Sequence, residues 1–432
     1  GDDFVDGGNG NDVLKGGRGN DQMFGGNNND RLNGGDGDDT LDSGSGTDWV
    51  DFDGGAAVNV DLTAGMATGQ GNDTLINFEN VLGSSFADTI KGNAANNILD
   101  GAAGNDTFIA TQGIDTILGG LGTDAIRFTA LASSVTASLA AGTYSATGAT
   151  GTLSSIENMT GTAFADTLTG DAADNVIDGG LGDDIINGGA GIDTAVLSGN
   201  VNAPYNRGVF ANLTTGTSTG GSGIDTLVGI ENLIGSDFSD FLTGNAGNNV
   251  LSGGASSDAF YATQGVDVYN GDTGNHDTVY FTGQPGVTAS LATGTYSFDA
   301  NNHGTMTNID DLFGGAANDS LTGDAVANVL DGMEGDDTLA GGLGNDEIWG
   351  GAGSDTLIAD GGSDHLYGNY SRFDFGDHAS DTFVIGTNAG TVTIGDFELG
   401  IDKIDVSAFN LGSSNYWMAS ASQSALTVTT LT

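Results

Sequence analysis

Residues 7–51 read GGNGNDVLK GGRGNDQMF GGNNNDRLN GGDGDDTLD SGSGTDWVD, five nonapeptides end to end. Aspartate recurs every nine residues, at Asp3, Asp12, Asp21, Asp30, Asp39 and Asp48. An apolar residue follows two places later each time: Val5, Leu14, Met23, Leu32, Leu41 and Val50. A period of nine held without slippage belongs to a stacked repeat and not to a globular core. Each short unit can bury its one apolar side chain only against its neighbours.

Each place in the nonapeptide has a physical reason. Paired glycines such as Gly7-Gly8 and Gly16-Gly17 permit positive φ and leave carbonyl oxygens bare in a sharp turn. The aspartate adds a hard carboxylate oxygen. The last three residues, such as Asp39-Thr40-Leu41, form a strand too short to stand alone, with one side chain facing inward. Turn, strand, turn, strand then makes a coil of 18 residues. Carboxylates and carbonyls of stacked turns converge at a spacing suited to a hard cation with six to eight oxygen ligands, which is calcium.

Composition narrows the partners. The 432 residues include 77 glycines, 2 prolines and no cysteine, and the formal charge is −50 with only 8 basic residues. Collagen and disulfide or thiolate-metal scaffolds are excluded. Nucleic acid and anionic membranes are disfavoured, because phosphates would be repelled along the whole length. Only six of the 58 acidic residues are glutamate. A merely solvated acidic surface would carry more, so the skew favours short carboxylates held in turns. No run is long and apolar enough to span a membrane, and no signal-peptide pattern is expected in the residues that open at Gly1. Asp3 and Val5 are already in phase, which points to sequence upstream of Gly1.

Five repeat blocks alternate with four less regular segments. The divisions expected are 1–51 for the first block and 52–127, 128–196, 197–279 and 280–367 for an excursion plus a block each. Residues 368–432 form the end. A longer period lies over the first: Asp88, Asp166, Asp240 and Asp319 are 78, 74 and 79 residues apart, and each opens a block. Glu79, Glu157, Glu231 and Asp310 sit nine residues before them. The glutamates are read as hydrogen-bonding or capping groups at the start of the stack, with metal ligation as the alternative. Asn97, Asn175, Asn249 and Asn328 hold the second motif of these blocks, where side-chain hydrogen bonds are favoured over metal. The excursions share a pattern, as in Val60-Asp61-Leu62-Thr63-Ala64-Gly65 and Ala137-Ser138-Leu139-Ala140-Ala141-Gly142, and read as strands that extend or cover the roll.

The repeat resembles the RTX (repeats-in-toxin) family, whose signature is G-G-x-G-x-D-x-U-x. The end, TIGDFELGIDKIDVSAFN at residues 393–410, resembles the segment that closes the calcium roll of serralysin-type exoproteins, where it precedes an uncleaved export signal. The fold expected is therefore all-β: a right-handed parallel β-roll solenoid with inserted β-excursions and a C-terminal cap. The calcium ligands expected are, in the first block, Asp3, Asp12, Asp21, Asp30, Asp39 and Asp48. Further on they are Asp88, Asp106, Asp115, Asp124, Asp166, Asp184, Asp193, Asp240, Asp258 and Asp267. In the last block they are Asp319, Asp337, Asp346, Asp355 and Asp364. Turn carbonyls are expected at Gly7, Gly16, Gly25, Gly34, Gly179, Gly188, Gly341 and Gly350. Counting complete turn pairs gives roughly 15 ions.

Catalytic motifs are not visible. His276, His303, His365 and His378 form no H-E-x-x-H, there is no G-x-S-x-G elbow, and aspartates line the glycine turns where a P-loop would place lysine. Phe108, Phe260 and Tyr269 fall in the inward phase, and Trp49 and Trp349 in the outward one. The reading is of a non-enzymatic, calcium-binding protein that folds on binding, secreted or at the surface of a Gram-negative bacterium. The resemblance implies the type I secretion machinery as a partner. A structural or surface role, with self-assembly or contact to cell-surface glycan or lipopolysaccharide, is favoured. The alternative is the export and folding region of an exoenzyme whose catalytic domain lies outside this chain.

Overall fold

Each nonapeptide folds as one strand and one turn. The computed structural model describes residues 1–197, 208–221, 223–274, 276–369, 379–409, 418–422 and 425–429. In the first block the strands are Phe4–Asn9, Val13–Arg18, Gln22–Asn27, Arg31–Asp36, Thr40–Ser45 and Trp49–Asp51. Each pairs in parallel with the strand one coil further on. Val5 stands beside Met23 and Met23 beside Leu41 in one sheet; Leu14, Leu32 and Val50 line up in the other. Followed pair by pair, both sheets run linearly.

The apolar position fills the space between the sheets. Met23, Leu32, Leu41 and Val50 are wholly buried, as are Phe108, Leu168, Phe260 and Leu366 in later blocks. Their neighbours along the strand point out: Val13 is 71% exposed and Ile114 66%. Burial of one Leu-sized side chain is worth about 1.5–3 kcal/mol. That is too little to order nine residues at roughly 1–2 kcal/mol each, so no nonapeptide is stable without its neighbours.

The chain forms two compact units, Gly1–Ser198 with Thr217–Ile230, and Gly199–Gly216 with Glu231–Thr432. The excursions extend the sheets within them. In the first, Asn59–Asp61, Met66–Thr68 and Asn72–Ile76 make an antiparallel meander. It sits in one sheet between Thr40–Ser45 and Thr89–Lys91, in reverse sequence order. The second, Val135–Ser138, Thr143–Ala146 and Ala149–Ser154, does the same in the other sheet. The third is divided: Thr217–Gly220 and Ile224–Val228 belong to the first unit, while Val209–Asn212 pairs with Phe241–Thr243 in the second. The fourth is Thr288–Ser290, Thr295–Ser297 and His303–Thr307.

Outward aromatic residues stack from strand to strand in the second unit. Phe210 lies flat on Phe241 at 4.5 Å between centroids, Tyr261 on Tyr280 at 5.1 Å, and Trp349 on Tyr367 at 4.0 Å. Such pairs stabilise a sheet through its solvent face. After Tyr367 the pattern changes as expected. Thr382–Ala389 and Thr391–Ile394 continue the two sheets, and the hairpin Met418–Ser422/Ala425–Thr429 adds antiparallel strands to the edge of one. Covering that edge removes a row of unpaired backbone groups.

Because Phe108 is wholly buried and Ile114 is not, Phe108→Ala should lower the stability of the folded chain by about 3–5 kcal/mol. Ile114→Ala should change it by less than about 0.5 kcal/mol. Denaturant unfolding of the two variants checks the inward phase.

Candidate metal centre

One hydrogen bond recurs from coil to coil. The backbone N–H of a repeat aspartate donates to Oδ1 of the aspartate 18 residues later: Asp12 to Asp30 at 2.8 Å, Asp30 to Asp48 at 2.7 Å, Asp106 to Asp124 at 2.7 Å, Asp337 to Asp355 at 2.8 Å. Asp3 enters the ladder as a donor to Asp21 at 2.7 Å. Where the spacing departs from nine, the acceptor comes from further along the chain. Asp39 donates to Asp73, Asp184 to Asp225 and Asp355 to Asp381. At the end of the first block Asp48 donates to Glu79, and Asp124 donates likewise to Glu157. The glutamates thus act as hydrogen-bond acceptors at the start of the next stack.

The second oxygen separates the aspartates into classes. Oδ2 of Asp12, Asp21, Asp30, Asp39 and Asp48 is buried and receives no hydrogen bond. The same holds for Asp106, Asp124, Asp184, Asp258, Asp337 and Asp346. In their turns the second residue is left-handed: φ is +86° at Gly8, +102° at Gly17, +105° at Gly120 and +106° at Gly254. Two residues with side chains take the same conformation, Ala102 at +69° and Met333 at +74°. So turned, the N–H of the second residue points back along the chain: Ala102 donates to Asp100, Gly180 to Asp178 and Met333 to Asp331. Asp364 also keeps a buried, unbonded Oδ2, although its turn continues the strand Thr356–Gly362.

The first residue of these turns shows why it is glycine. A methyl group on Gly25 would lie 2.6 Å from Asp30 Oδ2 and 2.6 Å from the carbonyl oxygen of Ser43, one coil on. On Gly7 it would lie 2.8 Å from Asp12 Oδ2 and 2.7 Å from the carbonyl of Gly25. Gly16, Gly34, Gly179, Gly188, Gly341 and Gly350 each face Oδ2 of the aspartate five residues later in the same way. Carboxylate and carbonyl oxygens therefore converge on a cradle that any side chain would fill. Donors are missing from it: Lys15, Arg31 and Lys91 pair instead with Asp53, Asp51 and Asp61.

Asp88, Asp166, Asp240 and Asp319 are arranged otherwise. Their Oδ2 accepts the N–H of the second turn residue: Ser84 at 2.6 Å, Thr162 at 2.5 Å, Ser236, and Gly315 at 2.6 Å. The hydroxyls of Ser84, Thr162 and Ser236 also donate to Oδ1. The asparagines close in the same manner. Oδ1 of Asn97, Asn175, Asn249 and Asn328 accepts the turn N–H at 2.8 Å. Their Nδ2 donates to a carbonyl one coil earlier, that of Glu79, Glu157, Glu231 or Asp310. Asp115 and Asp267 form a third group, where Oδ2 accepts the hydroxyl of Tyr144 or Tyr269 at 3.1 Å.

Asp193 and Asp355 occupy ladder positions, accepting from Asn175 and Asp337. The sequence reading missed Asp73, Asp225, Asp277, Asp381 and Asp402, which continue the ladder where the spacing departs from nine. Asp277-Thr278-Val279 and Asp381-Thr382-Phe383 still carried the local signal, aspartate followed two places later by a buried apolar residue. Nδ1 of His276 sits 3.2 Å from Asp311 Oδ2.

Burial makes five of the ladder acids markedly reluctant to ionise. It pushes Asp337 up to about 8, and Asp106, Asp184, Asp258 and Asp346 to about 7, with neighbouring carboxylates adding to the shift. Among the described residues no three His, Cys, Asp or Glu side chains gather around one point. A site here would draw its ligands from a carboxylate or two and several backbone carbonyls. That set suits a hard, flexible, many-coordinate cation and not zinc.

Eight segments match the RTX calcium-binding nonapeptide repeat: residues 1–32, 24–57, 79–108, 100–129, 160–195, 234–269, 307–339 and 331–366. Together they cover more than half of the chain. No curated protein matches it closely enough to count as a relative.

The raised acids set a pH dependence. In the metal-free fold Asp337 holds its proton up to about 8, whereas an ordinary aspartate releases it near 3.8. Between those values the folded chain binds more protons than the unfolded one, so its stability falls as pH rises through the window. In excess chelator, circular dichroism should show more β-structure at pH 5 than at pH 8. The opposite order would contradict the burial of these carboxylates.

Proposed function

Since the chain belongs to the RTX calcium-binding nonapeptide repeat family, we propose that it is a secreted structural or surface protein whose solenoid assembles only when calcium is present. Calcium binding and a repeat architecture come with the family. The observation that carries the rest is the buried, donor-free Oδ2 beside stacked carbonyls, as at Asp30 with Ser43 and Asp12 with Gly25. Bound there, calcium supplies the positive charge and high coordination number that this oxygen set lacks. Asp12, Asp21, Asp30, Asp39 and Asp48 would hold it in the first block. Asp106, Asp124, Asp184, Asp258, Asp337 and Asp346 would do so later.

Charge makes the coupling strong. The chain carries −50, and roughly 15 divalent ions would cancel about 30 of those charges. Without them, stacked carboxylates repel one another across coils that each bury little apolar surface. A chain in a calcium-poor cytosol therefore stays expanded, which suits passage through a one-step exporter, and folds by mass action in millimolar calcium outside. The end of the chain, resembling a serralysin-type closing segment, supports type I secretion from a Gram-negative cell. Five blocks on a long period favour a structural role, with self-assembly or contact to surface glycan, over the export region of an exoenzyme.

A chelator titration followed by circular dichroism tests the coupling at neutral pH. The β-signal should collapse as calcium is withdrawn and return when it is restored. A signal unchanged in excess chelator would sink the proposal while leaving the repeat architecture intact.

A further inference from the structure

The blocks that follow the first all open with two turns unlike the rest. We propose that these turns take no cation, and that the backbone conformation of the second turn residue, not the presence of an aspartate, decides which turns bind calcium. The inference rests on the calcium reading above and assigns its sites turn by turn.

Where the second residue is left-handed, its N–H is turned away, as at Ala102 and Met333, and Oδ2 of Asp106 or Asp337 is left bare toward the cradle. In the two opening turns of each later block it is not, and there the N–H points inward. Ser84 and Gly315 then donate to Asp88 and Asp319, and Asn93 donates to Asn97. An N–H at 2.6–2.8 Å occupies the direction from which a cation would reach that oxygen and satisfies its lone pair.

Two comparisons isolate conformation from composition. Gly314-Gly315 has the residue types of a calcium turn, yet Gly315 lies outside the left-handed region and closes onto Asp319. Conversely, Ala102 and Met333 carry side chains that disfavour positive φ, yet their turns stay open. Strain held at these two positions, in turns that end with a bare buried carboxylate, marks them as sites that a ligand stabilises. The asparagine turns complete the picture. Asn97, Asn175, Asn249 and Asn328 fill the same geometry without charge, which a closed turn tolerates because nothing positive enters it.

Two sets of substitutions test this in the full chain, with calcium bound per folded molecule measured by equilibrium dialysis and folding followed by circular dichroism. The first set is Asp88→Asn, Asp166→Asn, Asp240→Asn and Asp319→Asn together. The second is Asp106→Asn, Asp184→Asn, Asp258→Asn and Asp337→Asn. The first set should retain the wild-type calcium content, since asparagine already sits in the neighbouring closed turns. The second should lose at least one ion for each substituted turn. Loss of calcium from a folded first set overturns the inference. A second set that fails to fold leaves the first set to decide. If the first set fails to fold, anomalous density in crystals of the calcium-loaded wild type decides. Ions absent beside Asp88, Asp166, Asp240 and Asp319 uphold the inference, and an ion beside any of them overturns it. A wild type that binds no calcium at all overturns the calcium reading itself, and this assignment with it.

Discussion

A backbone N–H donated to a carboxylate one coil away is the interaction on which the rest of this structure depends. Strand pairing alone would let neighbouring coils slide, since three-residue strands with one buried side chain carry little register information. The bond from Asp12 to Asp30, and its repeats up the stack, fixes each coil to the next at its turn. It also creates the central difficulty of the fold. A carboxylate has two oxygens, the ladder uses one, and the other is buried with no donor in reach. Such a group costs far more when left alone than when paired or liganded.

The chain resolves that difficulty in three ways. A turn N–H closes onto the oxygen at Asp88, a tyrosine hydroxyl reaches it at Asp115 and Asp267, and at positions such as Asp30 and Asp106 it stays bare, where the proposed calcium would meet it. Tyr144 comes from an excursion strand, so the inserted segments satisfy the ladder as well as widening a sheet. They also end one run of the ladder and start the next: Asp73 and Asp225 take up acceptor positions, and Asp88, Asp166, Asp240 and Asp319 accept the N–H of Val58, Val135, Val209 and Val287.

Most of the fold was legible in the residues. Phase alone placed Met23, Leu32, Leu41 and Val50 inside and made strands of the residues beside them, because nine residues per half-coil leave no other way to bury a single apolar stripe. The excursions were legible as strands, though not their reversed order in the sheet, which depends on pairing between distant segments. At the candidate sites the glycine and aspartate positions were readable, but the split between open and closed turns was not. Gly314-Gly315 looks the same as Gly341-Gly342 in sequence, yet only Gly342 is left-handed. A φ angle is set by what the turn packs against, and a glycine permits either sign. Asp381 was not counted among the repeat aspartates because its spacing from Asp364 is not nine, although Thr382 and Phe383 repeat the local pattern.

The closed turns have a consequence for how far a disturbance spreads. In a linear array whose units touch only their neighbours, cooperativity extends as far as consecutive units depend on the same condition. Within a run of open turns, withdrawing one ion weakens the next, and the loss propagates. A pair of turns held by their own N–H groups, as at Asp88 and Asn97, does not share that dependence and interrupts the run. With calcium in the open turns as proposed, each block would respond to its own ions, and falling calcium would melt the blocks in stages, over a broader concentration range than one uninterrupted roll would show.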